Sequence, residues 1–201
     1  DDLASLVYFN SKFGQFSDDQ KLIRGSAYGR RWRSWFGHDQ LDALRERIRR
    51  EGRATRRLVI GQWDPATDSR ADSLDVPCNL IITLLERNGS LDMSVHNRSN
   101  DVMWGCTGSN VVHFTLLHEY LAHYLELPLG KYFQISDCMH VYTEFPVYTK
   151  AAPGILDGSR KIRTDYVDGL VTTSPMFMGD ASKEDFDADV KFLLDSHAGV
   201  V

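Results

Sequence analysis

The sequence has few cysteines and no long apolar run. Three cysteines in 201 residues, at widely spaced positions 78, 106 and 138, do not form the disulfide framework of a small secreted domain, so we expect a reducing, cytoplasmic compartment. No run approaches the roughly 18 apolar residues that span a bilayer, so we expect neither a signal peptide nor a membrane partner. Basic residues (23) are outnumbered by acidic ones (28), with a net charge of -5, which argues against a nucleic acid polymer as partner.

The remaining composition is typical of a globular protein. Hydrophobic residues make up 42% of the chain and charged residues 25%, which excludes disorder as the main state. A chain of this length buries on the order of 70% of its extended surface. We therefore predict a single domain over residues 1–201. The chain begins with Asp1 and not with methionine, and we expect it to be a fragment.

Helix and strand patterns are mixed and do not alternate as regular βαβ units, which predicts an α+β fold. The clearest signal is a hairpin, in which residues 76–86 and 91–97 flank Arg87-Asn88-Gly89, because Asn-Gly supplies the positive φ of a tight turn. Further strands are predicted at residues 56–63 and 131–145. Helices are predicted at 39–51, ended by Gly52, at 110–127, and at 182–194.

Cys78 is the first candidate for chemistry. A free cysteine is most often a small, inert, buried side chain. Here, however, Pro77 cannot donate to a strand ladder, so the strand is expected to be irregular or at an edge where the thiol lies. Arginines nearby would stabilise a thiolate. The residues alone leave both interpretations open.

Two histidines of the long predicted helix resemble a zinc-protease motif without fulfilling it. His118 and His123 are five residues apart, a rotation of about 140° around a helix, so they cannot share one metal face. We predict no metal site, and we expect both side chains to face solvent or a partner.

A candidate phosphate site follows the second hairpin strand. Arg98 and Ser99 precede a glycine-containing loop, and Asn110 opens the long predicted helix, whose first amides can hold an anion. Asparagine at a helix start is also a common N-cap, and Arg56-Arg57 is typical of a solvated strand entrance. Spacing alone does not decide between these interpretations.

Seven short motifs follow one another along roughly residues 25–145. They are Tyr28-Gly29-x-x-Trp32-Arg33, Thr55-Arg56-Arg57-Leu58, Trp63-Asp64-Pro65, Pro77-Cys78, Arg98-Ser99-Asn100-Asp101-Val102, the segment 105–110, and His140-Val141-Tyr142. The combination resembles the thymidylate synthase family, which includes the pyrimidine-nucleotide hydroxymethylases of bacteriophages. The resemblance implies a thymidylate synthase-like fold, a mixed sheet packed with helices.

The resemblance also implies roles for the matching residues. Cys78 matches the nucleophile that adds to C6 of the pyrimidine, and Asp101 matches a catalytic residue that holds the base. Substrate-binding matches are Arg98 and Ser99 for the phosphate, Arg56 and Arg57 for the phosphate of the neighbouring subunit, Asn110 for the pyrimidine edge, and His140 and Tyr142 for the sugar hydroxyl. The family implies methylene-tetrahydrofolate as co-substrate and a homodimer, joined through the sheet, with shared active sites.

Departures from the family pattern favour the hydroxymethylase branch. The usual Pro-Cys-His is Pro77-Cys78-Asn79, and the loop before Asn110 is one residue longer and lacks proline. The usual Gly-Asp-x-His is altered in the segment 136–140, and residues 182–201 show no counterpart of the family's closing tail. An altered loop and lid would admit water to the reaction intermediate.

We therefore predict folate-dependent C5 hydroxymethylation of a pyrimidine nucleoside monophosphate through a Cys78 adduct. One alternative is a thymidylate synthase, which reduces the same intermediate. The other is a catalytically incomplete nucleotide-binding protein, because the family's N-terminal segment, with a catalytic Glu and a further phosphate-binding Arg, is missing ahead of Asp1. The family favours uracil as the base, cytosine stays open, and the sugar cannot be read.

Overall fold

The computed structural model describes residues 27–70, 72–73, 75–144 and 146–158, together with positions 14, 17, 25, 184, 185, 188, 191 and 192. The helices are α1 (Tyr28–Arg30), continued by a π-helix (Arg31–Trp35), α2 (Gln40–Glu51), α3 (Ser109–Tyr124), preceded by a second π-helix (Val102–Cys106), and α4 (Pro146–Leu156). The strands are β1 (Leu58–Gly61), β2 (Asn79–Arg87), β3 (Ser90–Asn97), β4 (Asn100–Asp101), β5 (Leu129–Ser136) and β6 (Met139–His140).

A four-stranded mixed sheet organises these elements in the order β1-β2-β3-β5. The first three strands are antiparallel, whereas β5 pairs parallel to β3. Strands β4 and β6 form a separate parallel pair. The α+β prediction is therefore confirmed, with α3 as the crossover that a parallel pairing requires.

The predicted hairpin is the centre of this sheet. Asn88 and Gly89 both have positive φ, 53° and 81°, which is the two-residue turn that matches the twist of the flanking strands. The pairing register shifts between Asn79 and Ile81, so the ladder is irregular directly after Cys78, as the preceding proline predicted. The nucleophile candidate thus lies at a distorted end of the sheet.

One face of the sheet carries the core. Phe114 and Leu121 of α3 are completely buried, as are Ile82 and Val95 of the hairpin. The predicted helix at 39–51 is confirmed as α2, with Asp39 accepting hydrogen bonds from the amides of residues 41 and 42. None of the helices in the described ranges is long and apolar enough to cross a membrane.

The chain after β5 differs from the prediction. The strand predicted for residues 131–145 ends at Ser136, because the amide of Asp137 turns to the carbonyl of Asn97 and the chain re-enters as the short β6. Pro146 then opens α4, where its missing N–H costs nothing. Of the helix predicted at 182–194, five positions are described and are helical; the rest lies outside the described residues.

Candidate active site

Cys78, Arg98 and Ser99 meet at the irregular end of the hairpin. The backbone amide of Arg98 donates to the carbonyl of Cys78 at 3.0 Å, which fixes the two residues side by side. The Arg98 guanidinium donates to the carbonyl of Pro77 at 2.9 Å and lies 5.7 Å from the ring centroid of Trp63. Three residues chosen from the sequence are therefore neighbours in space, although their chemical roles stay predictions.

The Cys78 thiol is half-buried, and burial dominates its electrostatics. Burial raises the pKa of Cys78, the positive charge of Arg98 opposes that rise, and the Asp75 carboxylate adds to it. A side-chain hydrogen bond with Ser99 acts in the same direction as Arg98 and lowers the pKa of Cys78. The net direction is upward, so one neighbouring arginine does not offset the desolvation of a thiolate in the free chain.

Tyr28 belongs to the first motif of the sequence, but no role was predicted for it. Its side chain is 5% exposed, and its hydroxyl lies near the backbone of Cys78 and Asn79, which acts to lower its pKa. Burial, followed by the nearby Cys78, raises the pKa of Tyr28 well above its usual range. A neutral phenol therefore supports the backbone that carries the thiol.

Asp101 shapes the loop between β4 and α3. Its Oδ2 accepts hydrogen bonds from the amides of Met103 at 2.8 Å and Trp104 at 2.7 Å, whereas its Oδ1 is buried and has no partner in the described part of the chain. The loop ends at Gly108, the N-cap of α3. Asn110 therefore lies inside the first turn of the helix, and the N-cap interpretation of this residue is wrong.

His140 and Tyr142 lie beside this loop. In the β4–β6 pair His140 is opposite Asp101, and the rings of His140 and Tyr142 pack edge to face with centroids 4.9 Å apart. Tyr142 is 44% exposed, so part of its side chain reaches the surface. The short parallel pair thus brings the predicted sugar-binding residues to the predicted base-binding residue.

Arg56 and Arg57 lie at the opposite end of the sheet. Leu58 pairs with Leu84 in the antiparallel β1–β2 ladder, so the arginines are level with the residues that follow position 84. Arg57 is therefore level with residue 85, which is seven positions from Cys78 along the extended strand, a distance of roughly 24 Å. Arg57 is exposed and pairs with Glu51 at 3.0 Å. The chain does not bring these arginines to its own Cys78.

The expectation that His118 faces solvent or a partner is wrong. The side chain is 2% exposed, and its Nε2 lies 2.6 Å from the carbonyl of Leu91. Burial lowers the pKa of His118, so the ring is neutral with Nε2–H as the donor. No group of three or more His, Cys, Asp or Glu side chains that could hold a metal occurs among the described residues.

His113 is a second histidine without a predicted role. Its ring is 5.2 Å from that of Trp32 and 6.1 Å from that of Tyr28, centroid to centroid. Burial lowers the pKa of His113, so it joins this aromatic cluster as a neutral ring. Nothing in its sequence surroundings indicated this, because the cluster joins residues about 80 positions apart.

Comparison with known proteins identifies the family of the chain. The family model described as thymidylate synthase matches residues 9–152. The chain belongs to the thymidylate synthase family. The match contains every residue chosen as a candidate for catalysis or binding, and it starts before the first residues described by the structure.

Two curated relatives come from bacteriophages. The chain is 41% identical over 153 residues to the deoxyuridylate hydroxymethyltransferase of Pseudomonas phage M6, covering 76% of this chain and 42% of that protein. It is 39% identical over 154 residues to the deoxyuridylate hydroxymethyltransferase of Bacillus phage SP01, covering 71% of this chain and 40% of that protein. The chain therefore spans about two fifths of the length of these relatives.

Thermostable thymidylate synthase A from Bacillus subtilis has a similar solved structure. Its TM-score to this chain is 0.61 at 24% identity, over 80% of this chain and 56% of that one. This likeness supports the family's fold.

Proposed function

We propose that the protein transfers a one-carbon unit to C5 of the uracil of deoxyuridine monophosphate and releases the 5-hydroxymethyl nucleotide as product. The observation that carries the proposal is the juxtaposition of Cys78 with Arg98 and Ser99. The similarity to two phage deoxyuridylate hydroxymethyltransferases supports both the base and the branch. The co-substrate is methylene-tetrahydrofolate, as in the family.

The chemistry needs a nucleophile because C5 of uracil is too electron-poor to attack a one-carbon donor by itself. Addition of the Cys78 thiolate to C6 places the electron pair in an enolate, and C5 then attacks the methylene carbon of the folate. Loss of the C5 proton and of the folate amine leaves an exocyclic methylene. Water adds to that carbon and loses a proton, which restores the enolate. The electron pair of the enolate then forms the C5–C6 double bond while the C6–S bond breaks and the Cys78 thiolate leaves.

The neighbouring residues would hold the nucleotide for these steps. Arg98 and Ser99 lie beside the thiol, as a phosphate on the same nucleotide requires. Asn110 would read the edge of the base, Asp101 would hold the loop over it, and His140 with Tyr142 would bind the sugar hydroxyl. Because burial raises the pKa of Cys78, substrate binding has to favour the thiolate.

A second copy of the chain would complete the site. The sheet face opposite the core exposes Val59 (42%), Phe133 (40%) and Ile135 (49%), an apolar surface of the kind that homodimers bury. Arg56 borders the same face, in a groove it shares with Phe133. A dimer joined through this face would carry the arginines of one subunit towards the Cys78 of the other.

Tritium release from C5-tritiated deoxyuridine monophosphate tests the proposal when the folate is present. We expect release, with a hydroxymethyl product identified by mass. We also expect Cys78→Ser to lower turnover by at least about a thousandfold, because a serine hydroxyl is a poor nucleophile near pH 7. Cys138→Ser, at an exposed cysteine, is the matched control and should retain activity.

Each alternative predicts a different result in the same assay. A methyl product would establish the thymidylate synthase reaction. If no pyrimidine monophosphate releases tritium, the remaining interpretation is a catalytically incomplete nucleotide-binding protein. Near-native turnover by Cys78→Ser would remove Cys78 from the reaction.

A further inference from the structure

A buried hydrogen-bond acceptor lies next to the residue proposed to read the base. Asn100 is 2% exposed, and its Nδ2 donates to Ser136 Oγ at 2.8 Å. Its Oδ1 is buried and has no hydrogen-bond partner among the residues that the structure describes. Buried carbonyl groups in native proteins nearly always have a partner, so this oxygen needs a donor that the described residues do not supply.

Gly105 leaves the space through which that donor can come. A Cβ on Gly105 would lie 2.0 Å from Asn100 Oδ1 and 3.7 Å from Asn110 Nδ2. The acceptor of one amide and the donor of the other therefore face each other across a residue that has no side chain. The backbone of Asn100 is fixed on its other side, because its amide donates to the carbonyl of Cys138 at 2.8 Å.

We propose that Asn100 is a positioning residue that holds Asn110 in one amide orientation, by accepting a hydrogen bond from Asn110 Nδ2 when nucleotide is bound. The proposal rests on the proposed function, in which Asn110 reads the base. A free carboxamide can turn over and exchange its donor and acceptor ends. An amide whose nitrogen is held by Asn100 presents its remaining N–H and its Oδ1 in one fixed order.

A fixed order allows Asn110 to discriminate between the two pyrimidines. Uracil presents N3–H as a donor and O4 as an acceptor, which pair with Asn110 Oδ1 and Nδ2–H. Cytosine presents N3 as an acceptor and its N4 amino group as a donor, so both contacts would be mismatched. Without Asn100, the amide could turn over and accept cytosine as well.

Equilibrium binding of deoxyuridine monophosphate and deoxycytidine monophosphate to the whole protein tests this role without requiring turnover. We expect the native protein to favour the uracil nucleotide. Asn100→Leu, which keeps the approximate size of the side chain and removes the acceptor, should reduce the ratio of the two dissociation constants by about tenfold to a hundredfold. Asn100→Asp keeps an acceptor opposite Asn110 and should restore the ratio to within a few-fold of the native value.

The controls separate positioning from folding. Asn97→Leu makes the same substitution at a neighbouring buried asparagine, whose side-chain Nδ2 donates to the carbonyl of Ile135. This variant should leave the ratio of the two dissociation constants unchanged. Asn100→Ser, which is smaller and too short to reach Asn110, replaces Asn100→Leu if the latter does not fold. An unchanged ratio in a folded Asn100→Leu or Asn100→Ser protein overturns the proposal.

The same measurement distinguishes this proposal from the proposed function. A uracil preference that depends on Asn100 supports the positioning role even if no tritium is released. Equal binding of the two nucleotides by the native protein overturns the role even if the hydroxymethyl product forms.

Discussion

The two ends of the four-stranded sheet use their charged residues in opposite ways. At the end that carries Cys78, the Arg98 guanidinium is held by backbone carbonyls beside a half-buried thiol. At the other end, the Arg57 side chain is 71% exposed and paired with Glu51. The first arrangement fixes a cation where a small substrate can reach it, whereas the second leaves cations at the edge of an apolar face. If the proposed function holds, one chain carries both halves of the site but does not bring them together.

The largest expected effect is complementation between the two ends. Arg56→Ala and Cys78→Ser proteins should each be nearly inactive, because each lacks one half of every site. Mixed under conditions of subunit exchange, half of the dimers become heterodimers, each with one intact site, which should restore about a quarter of native activity. Activity that stays at the level of the separate proteins, despite demonstrated exchange, would place Arg56 outside the site.

A charge on the apolar face should separate the subunits. Phe133 is 40% exposed, so Phe133→Asp should leave the folded chain stable but place an unpaired carboxylate in the proposed interface. Sedimentation velocity should then show monomers at concentrations where the native protein is dimeric. Leu156→Asp, at a residue of α4 that is 83% exposed, is the control and should not change the mass. A dimeric Phe133→Asp protein would contradict the proposed interface.

Removal of the Arg98 charge should change the titration of Cys78. Burial already raises the pKa of Cys78 and Arg98 opposes that rise, so Arg98→Gln should raise the pKa further. Only the thiolate reacts with iodoacetamide, so the midpoint of alkylation rate against pH should move to higher pH in a Cys106→Ser, Cys138→Ser background. Arg57→Gln, at the other end of the sheet, should leave that midpoint in place. If the midpoint pH moved equally in Arg98→Gln and Arg57→Gln, the effect on Cys78 would not depend on the proximity of Arg98.

The smallest expected effect concerns the hairpin turn at the Arg56 end. Gly89 has φ of 81°, so Gly89→Ala should reduce the free energy of unfolding by about 1 kcal/mol, measured by urea denaturation. Gly29→Ala is the matched control, since open space surrounds a Cβ there and its φ is not positive. Alkylation of Cys78 should be the same in both variants. A change in that rate would show that the two ends of the sheet are coupled.

Local patterns predicted the parts of the molecule in which neighbouring residues decide the structure. The Asn88-Gly89 turn indicated the hairpin, and the hairpin register, with its shift between Asn79 and Ile81, places residue 98 beside residue 78. The burial of His118 could not be predicted in this way, because its hydrogen bond goes to Leu91, which is distant in sequence. The apolar residues at helical spacing in α3 do mark its buried side, since Phe114, Leu117 and Leu121 are all buried, but this spacing did not indicate that His118 is buried beside them.

The roles of Tyr28 and Asn100 depend on contacts that no spacing rule contains. Tyr28 lies near the backbone of Cys78, which is 50 positions further along the chain. Asn100 was part of a recognised motif, but its orientation follows from Ser136 and from the absence of a side chain at Gly105. Motif resemblance identified the segment, and the three-dimensional structure showed that Asn100 Oδ1 and Asp101 Oδ1 in it have no hydrogen-bond partner among the described residues.

The mixed pairing of the sheet also has a consequence for the order of folding. β2 and β3 are joined by a two-residue turn, and such hairpins close in about 1–10 μs, so Cys78 and Arg98 should meet early. β5 pairs with β3 only after α3 has crossed between them, and long-range parallel pairing is slow. Pulsed hydrogen exchange should therefore show protection of the β2 and β3 amides before those of β5. The thiol and its cation would then be assembled before the residues that select the base.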